Sequence, residues 1–302
     1  MQDFKSKLNG VFTPCATIFE EGTQAVAYDK IRENIEVYNE TGIRGFMPCG
    51  TNGEFKALTD EESVKLVELY GKYRAADKTI LAGAGRESAY TTIEYIKKIA
   101  DKGADFASVL PPHYFAAKMS DSVLAEFYIS VADASPLPLL LYNIPKYAGG
   151  VVITEEVIKA VATHPNIAGM KDTSSEDILG YLKAVPANSN FHVLPGTIKK
   201  FFMGLDNGGV GGVLSIADYL PQLCCDIQDL YEAGKIDEAR EKEKYANALS
   251  DNAAGKFGVA GVKAAMDIVG MNGGIPRLPL PGMSEEQIAT LKKVLVEEGY
   301  AK

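Results

Sequence analysis

Short apolar runs alternate with amphipathic segments along most of the chain. The first run, Gly10-Val-Phe-Thr-Pro-Cys-Ala16, precedes a segment over about 25–39 in which Ile31, Ile35 and Tyr38 recur four and three apart, the spacing of one helix face. The next run, Gly45-Phe-Met-Pro-Cys49, leads to Thr59-Asp-Glu-Glu62. There the Thr59 hydroxyl can accept from the Glu62 N–H while the Glu62 carboxylate accepts from the Thr59 N–H, which predicts a capping box at a helix start. The unit then repeats. Residues 79–83, 106–110, 137–142, 167–171, 191–194 and 210–214 read as strands, with helices beginning near Ser88, Ser120, Thr154, Asp177, Thr197 and Ala217.

The strands show no clean alternation of polar and apolar positions, as expected when helices cover one face and packed side chains fill the other. Eight such units predict a closed (β/α)8 TIM barrel over residues 1–220. No dinucleotide fingerprint follows the first strand, because Asn9-Gly-Val-Phe12 lacks spaced glycines. Residues 221–302 exceed what a barrel needs and read as a helical appendage packed on it, with helices at about 223–233, 236–248 and 284–298. The last opens on a second capping box, Ser284-Glu-Glu-Gln287. Between these helices, 257–266 is partly helical and the proline-rich 276–281 is extended.

With 302 residues, 46% of them hydrophobic and 24% charged, the chain is neither a disulfide-stapled miniprotein nor a disordered tail. Its 40 acidic and 31 basic residues give a formal charge of −9, which argues against nucleic acid or an anionic membrane as a partner. Cys15, Cys49, Cys224 and Cys225 form no CxxC pair and read as reduced, buried thiols of a cytoplasmic protein. Met1-Gln-Asp-Phe-Lys5 carries no apolar secretion segment, and the apolar stretch at 137–141 is too short to span a bilayer. His113, His164 and His192 are scattered, so no metal site is expected.

A barrel of this kind carries its reacting groups at the carboxyl ends of the strands. Three features satisfy that condition. Lys171 ends the sixth strand after the apolar Ile167-Ala-Gly-Met170, where poor hydration favours the free amine that attacks a carbonyl carbon. Tyr142 ends the fifth strand and offers a phenol for proton transfer. Gly50-Thr-Asn-Gly-Glu54 follows the second strand as a tight turn whose N–H groups, with Thr51 and Asn52, suit an anion. Each also has an ordinary reading: a lysine at a loop entrance, a tyrosine closing a core strand, a plain turn.

Five ordered segments carry a family resemblance: Gly50-Thr-Asn-Gly-Glu54, Pro111-Pro-His-Tyr114, Tyr142-Asn-Ile-Pro145, Gly169-Met-Lys171-Asp172 and Gly208-Gly-Val-Gly-Gly-Val213. From about Leu8 to its end the chain resembles the dihydrodipicolinate synthase and N-acetylneuraminate lyase superfamily of Schiff-base pyruvate aldolases. The resemblance implies that Lys171 forms a covalent imine with pyruvate or another 2-oxo acid and that no further cofactor is needed. It implies a proton-relaying Tyr142, a carboxylate held by Thr51 and Asn52, and a Tyr114 that reaches toward a neighbour's site within a homotetramer of two tight dimers.

Tyr147 stands where the synthases of the family carry an arginine for the second substrate's carboxylate. Ser174, Ser175 and the loop at Gly196 are the polar candidates for that substrate. Further segments, including Lys118-Met-Ser120, 131–136, 164–172 and 273–280, are most similar to 4-hydroxy-2-oxoglutarate aldolases. The activity implied is reversible cleavage of a 4-hydroxy-2-oxo acid to pyruvate and an aldehyde. Two alternatives share the same core, a 2-keto-3-deoxy sugar-acid aldolase and a 4-hydroxy-tetrahydrodipicolinate synthase. A sensor that binds a 2-oxo acid without turnover is the non-enzymatic alternative.

Overall fold

All eight apolar runs form parallel strands: β1 (Gly10–Thr13), β2 (Gly45–Phe46), β3 (Thr79–Gly83), β4 (Phe106–Val109), β5 (Leu139–Asn143), β6 (Ile167–Asp172), β7 (His192–Pro195) and β8 (Gly211–Val213). The computed structural model describes residues 3–302; Met1 and Gln2, part of the segment read for a secretion signal, lie outside them. Hydrogen-bonded neighbours follow the order β7-β6-β5-β4-β3-β2-β1-β8, every pair parallel. β7 and β8, at the two ends of that order, lie against each other and complete the (β/α)8 barrel.

A short helix that the hydrophobic pattern did not announce, α1 (Phe4–Leu8), precedes β1. Phe4 and Leu8 enter the barrel interior, and the Phe4 ring meets Phe106 edge-on at 5.9 Å. The crossovers are α2 (Tyr28–Asn39), α3 (Asp60–Tyr73), α4 (Ala89–Ile99), α5 (Asp121–Ala134), α6 (Glu155–Val161), α7 (Ile178–Ala184) and α8 (Phe201–Asp206). The capping box of Thr59 and Glu62 opens α3 with both of its hydrogen bonds formed. α2 starts later than expected because Val26 is held in a bridge with Phe19.

The expected helix at Ala217 is only a 3-10 turn, Ser215–Asp218. A helix running on from Ala217 would drive the Pro221 ring into the carbonyl of Ala217, four residues earlier. Pro221 instead occupies the first turn of α9 (Pro221–Glu232), where its missing N–H costs nothing, and α9 packs on β1. α10 (Ile236–Asn252), α11 (Gly258–Ile268) and α12 (Glu285–Glu297) follow, the last behind the Ser284–Gln287 capping box. No helix among the described residues is long and apolar enough to cross a membrane.

Burial divides into two layers. Phe12, Met47, Leu81, Phe106, Leu140 and Leu194 fill the barrel interior, while a larger cluster lies between the strands and the surrounding helices. All four cysteines are free and buried in the outer layer.

Candidate active site

Lys171 reaches the barrel interior because β6 carries an extra residue. Leu139 of β5 pairs with Ile167, but Leu140 pairs with Gly169, so Ala168 has no partner of its own. Beyond this bulge the register runs Leu141 with Met170 and Tyr142 with Lys171. Met170 then packs outward, and Lys171 shares the inward face with Tyr142. Gly169 is needed at the bulge, since a Cβ there would lie 2.0 Å from the His192 carbonyl oxygen.

The Lys171 side chain is 3% exposed. Its Nζ lies 4.2 Å from the centre of the Tyr142 ring and 3.4 Å from Met47 Sδ. No carboxylate forms an ion pair with it among the described residues. The Tyr142 hydroxyl shares a hydrogen bond of 3.0 Å with Thr51 Oγ1. An amine, a phenol and a hydroxyl thus lead in sequence from the interior to the turn after β2, an arrangement suited to attack on a carbonyl with proton relay.

That turn is held under strain. Cys49 and Glu54, on either side of Gly50–Gly53, have φ of 57° and 52°, a left-handed conformation that costs a non-glycine residue roughly 1–2 kcal/mol. Glu54 is held by the appendage: Lys263 Nζ donates to its Oε1 at 2.6 Å and the Arg277 N–H to its Oε2 at 2.8 Å. Arg277 also makes a bidentate pair with Glu62 at 2.8 Å on each arm. The carboxyl-terminal region therefore clamps the turn after β2.

Asn52 lies beside Thr51 in sequence but turns its amide away. Its Nδ2 donates at 2.7 Å to Asp218 Oδ2, while Thr13 Oγ1 donates to the other Asp218 oxygen. Burial pushes the Asp218 carboxyl up to about 6, against the lowering effect of those hydrogen bonds and of the nearby Lys171 charge. Asp218 and Met47 were not among the sequence candidates. The signal for Asp218 was a lone carboxylate in the apolar Leu214-Ser-Ile-Ala-Asp218 just past a strand end.

Thr51 and Tyr147 line one cavity of about 690 Å³, bounded by Leu110 and by 257–260 and 276–281 of the appendage. Tyr147 is 55% exposed at this mouth, with the Lys146 ammonium 5.4 Å from its ring centre. Gly196, at the end of β7, belongs to a second cavity of about 530 Å³ with Ser174, Ser175, Thr197 and Ser215. A side chain at Gly196 would strike Thr173 Cγ2 at 2.0 Å.

Tyr114 stays apart from all of these within one chain. It is 80% exposed, packs edge-on against the Phe115 ring at 5.0 Å, and its N–H donates to Glu87 at 2.9 Å. Among the described residues, no three His, Cys, Asp or Glu side chains gather in a group that could hold a metal ion.

Residues 7–298 match the dihydrodipicolinate synthetase family. A probable mitochondrial 4-hydroxy-2-oxoglutarate aldolase of Emericella nidulans is 31% identical over 295 residues, covering 95% of this chain and 94% of its own. A 4-hydroxy-tetrahydrodipicolinate synthase of Methanothrix thermoacetophila is 32% identical, covering 95% of this chain and 96% of its own. The crystal structure of a prophage protein of the dihydrodipicolinic acid synthase family from E. coli K12, in complex with pyruvate, superposes with a TM-score of 0.87. It is 25% identical and covers 96% of this chain and 98% of its own.

Proposed function

The chain belongs to the dihydrodipicolinate synthetase family and is a pyruvate-using class I Schiff-base aldolase or lyase, and from that premise we propose that Lys171 forms the imine and that the reaction is reversible cleavage of 4-hydroxy-2-oxoglutarate to pyruvate and glyoxylate. The observation that carries the proposal is the run of Lys171 Nζ, Tyr142 hydroxyl and Thr51 hydroxyl at the carboxyl ends of β6, β5 and β2.

The Lys171 amine adds to the 2-oxo carbon, and loss of water gives a protonated imine. Tyr142 takes a proton from the 4-hydroxyl, the C3–C4 bond breaks, and its electron pair flows into the imine to leave an enamine. Glyoxylate departs, C3 takes a proton back, and water releases pyruvate from Lys171. Thr51 hands the relayed proton onward to Tyr114 of a second copy of the chain, which gives the exposed Tyr114–Phe115 pair an apolar partner within a dimer, two dimers forming the tetramer. Backbone N–H groups of the Gly50–Gly53 turn, that of Asn52 among them, hold the 2-oxo acid carboxylate together with the Thr51 hydroxyl, while the Asn52 side chain stays on Asp218.

Tyr147 weighs against the synthase without by itself selecting glyoxylate, whose own carboxylate must also be held. A bidentate arginine at that position contributes roughly 1.5–3 kcal/mol to a carboxylate, which a phenol replaces only in part. The hydroxyl-bearing residues around Gly196 favour a second reading, a 2-keto-3-deoxy sugar-acid aldolase, whose acceptor is a polyol.

Reduction with borohydride in the presence of pyruvate should leave one adduct, on Lys171, by peptide mass mapping. Condensation of pyruvate with glyoxylate, glyceraldehyde, N-acetylmannosamine or aspartate semialdehyde then ranks the acceptors. A preference of about tenfold in kcat/KM, about 1.4 kcal/mol, for an acceptor other than glyoxylate overturns the substrate assignment. Saturable pyruvate binding with no turnover of any acceptor would make the protein a sensor.

A further inference from the structure

Behind Tyr142 and Lys171, on the outward faces of the same strands, stand Asn143 and Asp172, again partners in register. Both are completely buried. Asn143 Nδ2 donates to Asp172 Oδ1 at 2.9 Å and to the Tyr181 hydroxyl at 3.1 Å, while its Oδ1 accepts from the Ile153 N–H at 2.9 Å. The Ser174 N–H also donates to Asp172 Oδ1, at 3.1 Å.

The remaining Asp172 oxygen accepts from Lys200 Nζ at 2.9 Å. That ammonium spends its other two protons on the carbonyls of Ser174 at 2.8 Å and Glu176 at 2.6 Å. Lys200 comes from the segment after β7, so one side chain ties the end of β6, the loop that follows it and the next strand's crossover together.

We propose that Lys200 is a positioning residue for the imine-forming lysine. The inference rests on the reading of Lys171 given above. Asp172 is joined to Lys171 by one peptide bond, and a buried carboxylate without its cation either takes a proton or moves toward water. Either response turns the Lys171 peptide and shifts its amine relative to the Tyr142 hydroxyl. A misplacement of about 1 Å at a reacting centre can cost on the order of a hundredfold in rate. Lys200 thus acts from outside the barrel, through Asp172, on geometry inside it.

The test begins with wild-type protein, pyruvate and borohydride. Absence of an adduct on Lys171 there defeats the underlying reading, and this inference falls with it. Given the adduct, Lys200→Met measured on folded protein should lower kcat by about tenfold or more while KM for pyruvate stays within about twofold, and should lower the melting temperature. The double variant Asp172→Asn/Lys200→Met removes the unpaired buried charge. It should regain the melting temperature and most of the lost kcat, because no unpaired carboxylate is left to turn the Lys171 peptide. Wild-type kcat in Lys200→Met, or recovery of stability without kcat in the double variant, overturns the proposal. Should Lys200→Met not fold, the double variant decides alone by the same criterion.

Discussion

Lys171 and Lys263 are 3% and 0% exposed, but their side-chain nitrogens meet different surroundings. Lys263 is bonded to Glu54 Oε1 at 2.6 Å and to the Ile275 carbonyl at 2.9 Å, with the Phe19 ring centre 4.5 Å away. Burial draws its affinity for protons down, and the Glu54 carboxylate works against that pull. Lys171 has a thioether, an aromatic face and no carboxylate in bonding reach. One nitrogen is held by a carboxylate and a carbonyl and ties the appendage to the turn after β2. The other, set against the Met47 thioether and the Tyr142 ring, keeps unfilled bonding capacity. If Lys171 forms the imine as proposed, burial alone does not distinguish a reactive lysine from a structural one; the partners of the nitrogen do.

Substitutions at the two positions should separate the roles. Lys171→Ala should lower turnover by about ten-thousandfold, about 5 kcal/mol of transition-state stabilisation, with the melting temperature kept or raised. Steady-state kinetics beside calorimetry reads both. Lys263→Met leaves Glu54 buried without its cation and should cost roughly 3–5 kcal/mol of stability by denaturant titration, with most of it regained in Lys263→Met/Glu54→Gln. Comparable turnover losses in the two single variants would erase the distinction.

The smallest effect belongs to Asp218, the acid on which the Lys171 charge acts. Its carboxyl is raised to about 6 in the folded protein from an ordinary 3.8, so the folded state holds the proton more tightly. The stabilisation this gives is complete below the unfolded value and is lost as pH rises through about 6. Asp218→Asn has no such term. Its stability relative to wild type should therefore climb between pH 4 and 7, by on the order of 3 kcal/mol. A difference that stays flat across that window would show that Asp218 titrates normally.

Much of the barrel was legible because its signals are local. Apolar runs of four or five residues, capping boxes at Thr59 and Ser284, and the glycines at 50 and 53 each act within one turn of chain. Strand ends then located Lys171, Tyr142 and Thr51. What the sequence hid is contact across distance. Asn52 meets Asp218 at a separation of 166 residues, Glu54 meets Lys263 at 209, and Asp172 meets Lys200 at 28, with no periodicity linking either member to the other. Phe4 and Leu8 were missed for a related reason. A helix of five residues has no recurring face to detect, and its place is set by the opening it fills.

Ala168 has a consequence for how this strand tolerates change in length. Counting outward from Ile167 in simple odd-even fashion would assign the interior to Met170 and Asp172 and would leave Lys171 outside. The surplus residue resets that count. Straightening β6 with every residue retained would exchange the amine for a carboxylate facing Tyr142. Deleting Ala168 restores an uninterrupted odd-even count that still ends with Lys171 inward, so loss of one residue here is milder than slippage by one. Borohydride trapping of pyruvate on a chain lacking Ala168 should still mark Lys171, and failure to do so while the protein remains folded would show that the surplus residue is required.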